Sequence, residues 1–297
     1  MSTTATAPLP EKAISDTPAT PVAPVAAAVA PAGWALSESQ RMHLDLYGYV
    51  VLPSLFDRAQ VAEIRGAMEE IEQRYHRDQK LPGGSFASLD KQEIFRVDNL
   101  PHLHPCFHRY LCHPTIISAV EEMVGGACRI EQSDAHVRRP CGESDMTYAF
   151  HRGAYDGLGY TEHALYHFPF VKALTNLTDL GPDDGGTAVI PGSHKLHGHL
   201  ARALKTAALS DPSLVHQVVA PAGSTLLFFE SLLHSSGIIR SRRERALIIG
   251  GYTTTHFQAW AGYDPDPSFL ATLSDEERRR YSGSDRWGWR ANFRSIT

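Results

Sequence analysis

The chain has no apolar run near the roughly 18 residues that a helix needs to cross a bilayer, and it has no excess of positive charge. Lys and Arg number 28 against 33 Asp and Glu, for a formal charge of −5, so neither a nucleic-acid polymer nor a membrane surface is the expected partner. Cysteine is scarce. Cys106, Cys112, Cys128 and Cys141 show no CxxC or zinc-type spacing, which weighs against a metal ribbon or a disulfide framework and fits reduced thiols in a cytoplasmic protein. There is no internal repeat. Residues 1–32 are dominated by Ala, Pro and Thr. Prolines remove backbone donors and small side chains bury too little surface to offset ordering entropy, so this stretch is expected to be a disordered tail. The apolar run Val25–Ala30 is short, flanked by prolines and without a basic leader, unlike a secretory signal.

What remains, residues 33–297, has ample apolar content for one catalytic-sized domain (42% over the whole chain). Ser37 and Gln40 stand at capping-box spacing and predict a helix start, followed by a short strand over Tyr47–Pro53. Val61, Ile64, Met68 and Ile71 recur at helical spacing within Asp57–Arg77, as do Ile116, Ile117, Val120 and Met123 within Pro114–Val124. Gly83-Gly84 marks a loop. After Gly125-Gly126 the pattern turns to short apolar runs broken by Gly, Pro, Asp and Asn. The predicted strands are Cys128–Ser133, His136–Arg138, Tyr148–His151, Leu165–Phe170, Val171–Leu177, Thr187–Ile190, Ser224–Phe229 and Ala246–Thr253. Many short strands with turns between them predict a mainly β fold, a sandwich or jelly roll with flanking helices. A helix is expected within His197–Leu209, and another from the capping box at Ser274 to about Tyr281. The Trp- and Arg-rich stretch Trp287–Arg294 closes the chain.

With sixteen histidines, only position within a pattern can single any out. Iron that activates dioxygen takes protein ligands on one face, commonly two histidines and a carboxylate. Residues i and i+2 of a strand share a side, so a His-x-Asp pair at a strand end can chelate one metal. His151 has that relation to position 153, which is Gly153 and carries no carboxylate. His234 follows an apolar strand and precedes Ser235-Ser236-Gly237, as a second ligand at a strand-to-turn junction would. Arg245 lies where its guanidinium could hold a carboxylate bidentately beside the metal. Taken singly, each is an ordinary residue of a surface or core.

The segment from Ala173 to Lys195, above all Asp184-Gly185-Gly186 and Pro191-Gly192-Ser193-His194, resembles the central signature of the phytanoyl-CoA dioxygenase family. The likeness runs from about Leu44 to Tyr252. It implies a double-stranded β-helix (a cupin-like jelly roll) and an oxygenase using Fe(II), 2-oxoglutarate and dioxygen. It further implies His151 and His234 as metal ligands, with Arg245 and Ser236 holding 2-oxoglutarate. By the same comparison His194 belongs to a structural turn.

The departure is Gly153, where the family carries aspartate, and three readings compete. A glycine leaves room for chloride at the metal, as in the halogenases of this class, which show His-x-Gly or His-x-Ala. Alternatively the chain is a hydroxylase with a substitute carboxylate or water in the triad, Asp156, Glu162 and Asp145 being nearest in sequence, although Asp156 would lie roughly 16 Å from His151 in an extended strand. The third reading is a metal-free binding module on the same fold. The first is the expectation here: a halogenase acting on an unactivated carbon of a small molecule. A narrower similarity, to the nucleotide halogenases of nucleoside-antibiotic pathways, implies a nucleoside monophosphate such as deoxyadenosine monophosphate as substrate. Arg138, Arg139, Arg152 and Lys172, with Arg96 more remotely, are the candidate substrate contacts.

Overall fold

Helix α1, Glu38–Tyr47, opens on the predicted capping box. The Ser37 hydroxyl accepts from Gln40 N while the Gln40 side chain accepts from Ser37 N, satisfying two helix-end donors at once. Gly48 ends it at φ +85°, in the left-handed region. Asp57 and Gln60 repeat the capping device at α2, Arg58–Asp78, whose buried face carries Val61, Ile64, Met68 and Ile71. Helices α3, Pro105–Leu111, and α4, Pro114–Val124, follow, α4 burying Ile116, Ile117, Val120 and Met123. The computed structural model describes residues 35–89, 94–140, 147–153, 157–162 and 164–283. The expected tail, the stretch Trp287–Arg294, Asp145 and Asp156 therefore lie outside the described residues.

Twelve strands are described: β1 Tyr49–Leu52, β2 Phe86–Leu89, β3 Ile94–Asp98, β4 Cys128–Arg138, β5 Tyr160–Glu162, β6 Leu165–His167, β7 Phe170–Asn176, β8 Ala188–Val189, β9 His216–Gln217, β10 Thr225–Phe229, β11 His234–Ser235 and β12 Arg245–Thr254. Seven form one antiparallel sheet in the order β1-β10-β7-β12-β4-β3-β2. A second sheet runs β11-β8-β9, and β5 pairs with β6. Helices α5, Gly198–Ala208, α6, Pro267–Leu270, and α7, Asp275–Ser282, complete the element list.

The period-two alternation of the strands divides the core. Val171 and Ala173 of β7, Leu227 and Phe229 of β10, and Ala246 and Ile248 of β12 join Met68, Tyr110, Ile116 and Val120 of the helices in one large cluster. Their neighbours Leu174, Leu226 and Phe228 face the other way and pack on Val189 of β8 and on Leu232. Each fully buried large apolar side chain is worth roughly 1.5–3 kcal/mol. Two antiparallel sheets with the chemistry-bearing residues between them and helices outside make the expected cupin-like jelly roll.

Three local expectations change. Cys128–Ser133 and His136–Arg138 are one strand, β4. Tyr148–His151 is not a strand; only His151 makes a bridge, to His234. The β2–β3 pair and α3 are additional elements. The β4–β12 register sets Arg138 opposite Arg245, His136 opposite Leu247 and Asp134 opposite Ile249. Arg245, Arg138, His136 and Asp134 therefore line the inner face of the large sheet.

Candidate active site

The turns of the signature block position the distal histidine. Gly192, at φ +79°, reverses the chain after β8. Ser193 then accepts from Leu233 N through its hydroxyl at 2.9 Å, and Ile190 N donates to Leu233 O at 2.9 Å. His194 is buried and donates from Nε2 to Asp45 O at 3.1 Å, tying the turn to α1. Burial holds its pKa down at about 4, and it acts as scaffold. Asp184 accepts from Gly181 N, and Gly186 packs so tightly on Val218 O that a Cβ would not fit.

His151 and His234 face each other across two backbone hydrogen bonds, each amide donating to the other's carbonyl at 2.9 Å. Their ring centroids are 4.3 Å apart. The Nδ1 of His151 lies 2.9 Å from Ala149 O, and that of His234 lies 2.9 Å from Leu232 O. A carbonyl only accepts, so Nδ1 is the protonated nitrogen in both rings. In the neutral imidazole this leaves each Nε2 with its lone pair free. His234 is buried and His151 exposed. Burial, opposed by the carboxylate of Glu230 and assisted by His151, holds the His234 pKa down at about 4. The ring is thus neutral at physiological pH, the form that binds a metal.

The expectation of open space beside Gly153 is corrected. Glu230, 7% exposed, fills it: a Cβ on Gly153 would overlap Glu230 Oε1 and stand 2.8 Å from Cδ and 2.9 Å from Cγ. Gly153 N donates to Glu230 O at 3.2 Å, and Glu230 N donates to Phe170 O at 2.9 Å, so the glutamate is anchored from both sides. Glu162, an alternative from the sequence, is exposed on β5.

Arg245 is 3% exposed and donates from Nη2 to Thr187 Oγ1 at 2.8 Å, while its Nε is buried without a partner. It has no carboxylate partner among the described residues. Burial and then the charge of Arg138 pull its pKa down to about 9. An arginine stays charged at neutral pH, so the interior holds a cation that wants an anion. Ser236, expected to assist Arg245, is exposed, and the hydroxyl actually on the guanidinium is that of Thr187. The sequence signal for Thr187 was its place directly after Gly185-Gly186, inside the signature block.

Of the candidate substrate contacts, Arg138 is buried, donating to Gly237 O at 2.8 Å, and belongs with Arg245. Arg139 is not at the site: it grips Glu72 of α2 through two hydrogen bonds of 2.8 and 2.7 Å. Lys172 is buried inside the barrel and paired with Glu131 at 2.5 Å and with Gln132, so its ammonium is committed to structure. Arg152 is half-buried and donates to Leu196 O at 2.7 Å. Arg96 pairs with Asp98 at 2.6 Å.

Two imidazoles whose Nδ1 atoms are committed to carbonyls, an adjacent buried carboxylate and a buried arginine on a jelly-roll frame define a non-heme metal oxygenase architecture. The chain belongs to the phytanoyl-CoA dioxygenase family, whose model matches residues 44–247, over half of its length; it is an enzyme of the iron- and 2-oxoglutarate-dependent dioxygenase class. It is 22% identical over 222 residues, 74% of this chain and 68% of the relative, to dioxygenase af480 of Aspergillus fumigatus. Among solved structures it is similar to HygX from Streptomyces hygroscopicus with nickel, 2-oxoglutarate and hygromycin B bound (TM-score 0.62, 23% identity, 76% of this chain and 90% of that one). It is also similar to the α-ketoglutarate-dependent carbocyclase SnoK from nogalamycin biosynthesis (TM-score 0.59, 20% identity, 80% and 91%). At these identities the structural likenesses speak for the fold. No helix among the described residues is long and apolar enough to cross a membrane.

Proposed function

We propose that the protein hydroxylates an unactivated carbon of a small-molecule substrate, with His151 and His234 holding Fe(II) and Arg245, backed by Thr187, holding the far carboxylate of 2-oxoglutarate. The observation that carries this reading is the pair of facing imidazoles whose Nδ1 atoms are both committed to carbonyls, leaving both Nε2 atoms to one metal. Iron with 2-oxoglutarate supplies the activation of dioxygen. The chain's own residues orient and exclude: the carbonyls of Ala149 and Leu232 fix the imidazole tautomers. Phe228, with its ring 4.6 Å from that of His234, walls one side against water. Arg245 offers the buried charge that a dicarboxylate complements.

Halogenation is the second reading, favoured by Gly153, and deoxyadenosine monophosphate remains its narrowest substrate. Against it stands Glu230: a chloride beside that carboxylate would place two anions together in a low-dielectric space. The substrate is expected to be a metabolite of natural-product size, as HygX has hygromycin B bound. Anaerobic loading with Fe(II) and 2-oxoglutarate, then oxygen, chloride and a metabolite panel that includes deoxyadenosine monophosphate, tests both readings. The expected result is succinate with a hydroxylated product. A chlorine isotope pattern in the product would move the assignment to a halogenase. Absence of any metal–2-oxoglutarate absorption band would leave only a binding module.

A further inference from the structure

We infer that Glu230 supplies the carboxylate of the iron site, delivered from the turn after β10 instead of from position 153, which carries it elsewhere in the family. The inference rests on the reading above that His151 and His234 hold the iron.

Three observations carry it. The first is steric. Gly153 does not adopt a positive φ, so its backbone makes no demand for glycine. What excludes a side chain there is the Glu230 carboxylate, which a Cβ on Gly153 would strike. The glycine and the glutamate are complementary: one has given up the volume that the other fills.

The second is the main-chain frame. His151 is bridged to His234, and two residues on, Gly153 N donates to Glu230 O. Positions 151 and 153 thus face 234 and 230 across the same pair of segments. A carboxylate rooted at 230 reaches the same region as one rooted at 153.

The third is an unsatisfied atom. Glu230 Oε2 is buried and has no hydrogen-bond partner, and no salt bridge to Glu230 is present among the described residues. A buried carboxylate oxygen that accepts no hydrogen bond is costly. The ammonium of Lys172 attracts Glu230 through its charge alone, since its hydrogen bonds go to Glu131 and Gln132. The charge of Glu230 acts on His234 as well as on Lys172, which puts it within the field of the metal-binding imidazole. Two imidazole nitrogens and one carboxylate oxygen reproduce the donor set and the single negative charge that iron(II) takes in oxygenases of this kind. The three ligand atoms are not all within 4.8 Å of one another as they stand, so the flexible glutamate side chain, not the backbone, is the part left to close the set.

The test is iron affinity, measured anaerobically by calorimetric titration of the full-length protein, with the visible band formed on adding 2-oxoglutarate as a second readout. Glu230→Gln keeps the shape and removes the charge. It is expected to bind iron at least tenfold more weakly than the parent at unchanged melting temperature. Glu230→Ala alone should lose as much, and the double variant Gly153→Asp with Glu230→Ala should recover iron binding to within a few-fold of the parent, because it restores the carboxylate from position 153 with the clash relieved. Parent-like affinity in Glu230→Gln would overturn the assignment, as would a double variant that folds but binds no better than Glu230→Ala. If the parent itself binds neither iron nor 2-oxoglutarate, it is the functional reading that fails; if the parent binds both and Glu230→Gln binds them equally, only the assignment of Glu230 fails.

Discussion

Two groups of acids and imidazoles lie inside this barrel, and they differ in a way that proximity alone would misjudge. Asp98, Asp134 and His136 hold ligand-type atoms within 4.8 Å of one another, on adjacent strands β3 and β4. His151, His234 and Glu230 do not close as tightly. Yet both carboxylates of the tighter group are already held by their neighbours, and only His136 Nε2 is buried without a partner. Asp134 accepts from the Tyr263 hydroxyl and from Gln132 Nε2, each at 2.5 Å, and Arg96 pairs with Asp98 at 2.6 Å. In the looser group both Nε2 atoms and Glu230 Oε2 have no protein partner to give up. A site for a metal is marked by ligand atoms left free and oriented from behind, more than by their mutual distance.

The largest effect expected from this contrast is on iron binding itself. His234→Ala should abolish iron binding at micromolar metal, while His136→Gln should leave it within a few-fold of the parent. Both are read by the same anaerobic titration, with melting temperatures taken alongside. Loss of iron in His136→Gln with retention in His234→Ala would reverse the two assignments.

The next effect concerns the cation between the groups. Arg245 sits beside His136 and Arg138 on the inner face, and removing its fork leaves the distal carboxylate of 2-oxoglutarate with one point charge at best. Arg245→Lys is expected to raise the KM for 2-oxoglutarate about 10- to 100-fold, corresponding to about 1.5–3 kcal/mol for hydrogen bonds to a charged group. Its iron affinity in the absence of 2-oxoglutarate should stay unchanged. Steady-state kinetics over a range of 2-oxoglutarate concentrations checks it.

These residues were unequally legible in the sequence. His151, His234 and Arg245 could be read because order and spacing along strands follow from a period of two, and the turn block between them is written in glycine and proline. The capping boxes at Ser37 and Ser274 and the stripe of α4 were equally plain, since helix ends and faces are local. Glu230 was not found, although it stands four residues before His234. Along the chain the carboxylates nearest Gly153 are Asp145, Asp156 and Glu162, whereas Glu230 arrives across the backbone bridge between His151 and His234. Thr187 was illegible for the same reason: its contact with Arg245 is made between sheets, and nothing local reports it. Arg139 and Lys172 were misplaced because a cation's sequence neighbours say nothing of a glutamate on α2 or a strand away. The β2–β3 hairpin went unread because Phe95 and Val97 are its only fully buried pair, too short an alternation to stand out.

The smallest effect separates the two groups by pH. Burial, and after it the charge of Asp98, raises the Asp134 pKa to about 7, against the attraction of Arg96 and the hydrogen bonds of Tyr263 and Gln132. A carboxyl whose folded pKa lies above its unfolded value of about 3.9 binds a proton in the folded state that the unfolded chain has released. Between about pH 4 and pH 7 the folded protein therefore holds more protons, and its stability falls as pH rises through that window. Asp134→Asn carries the neutral form permanently, so it should be insensitive to pH there and should gain on the parent most at pH 7 and above. Denaturant unfolding at pH 5 and at pH 7.5 measures this: the parent is expected to lose stability between the two values by more than the variant does. An equal loss in both would show that Asp134 is ionised in the fold across the whole range, held by Arg96, and that the closed group is an ion-pair network instead of a protonated one.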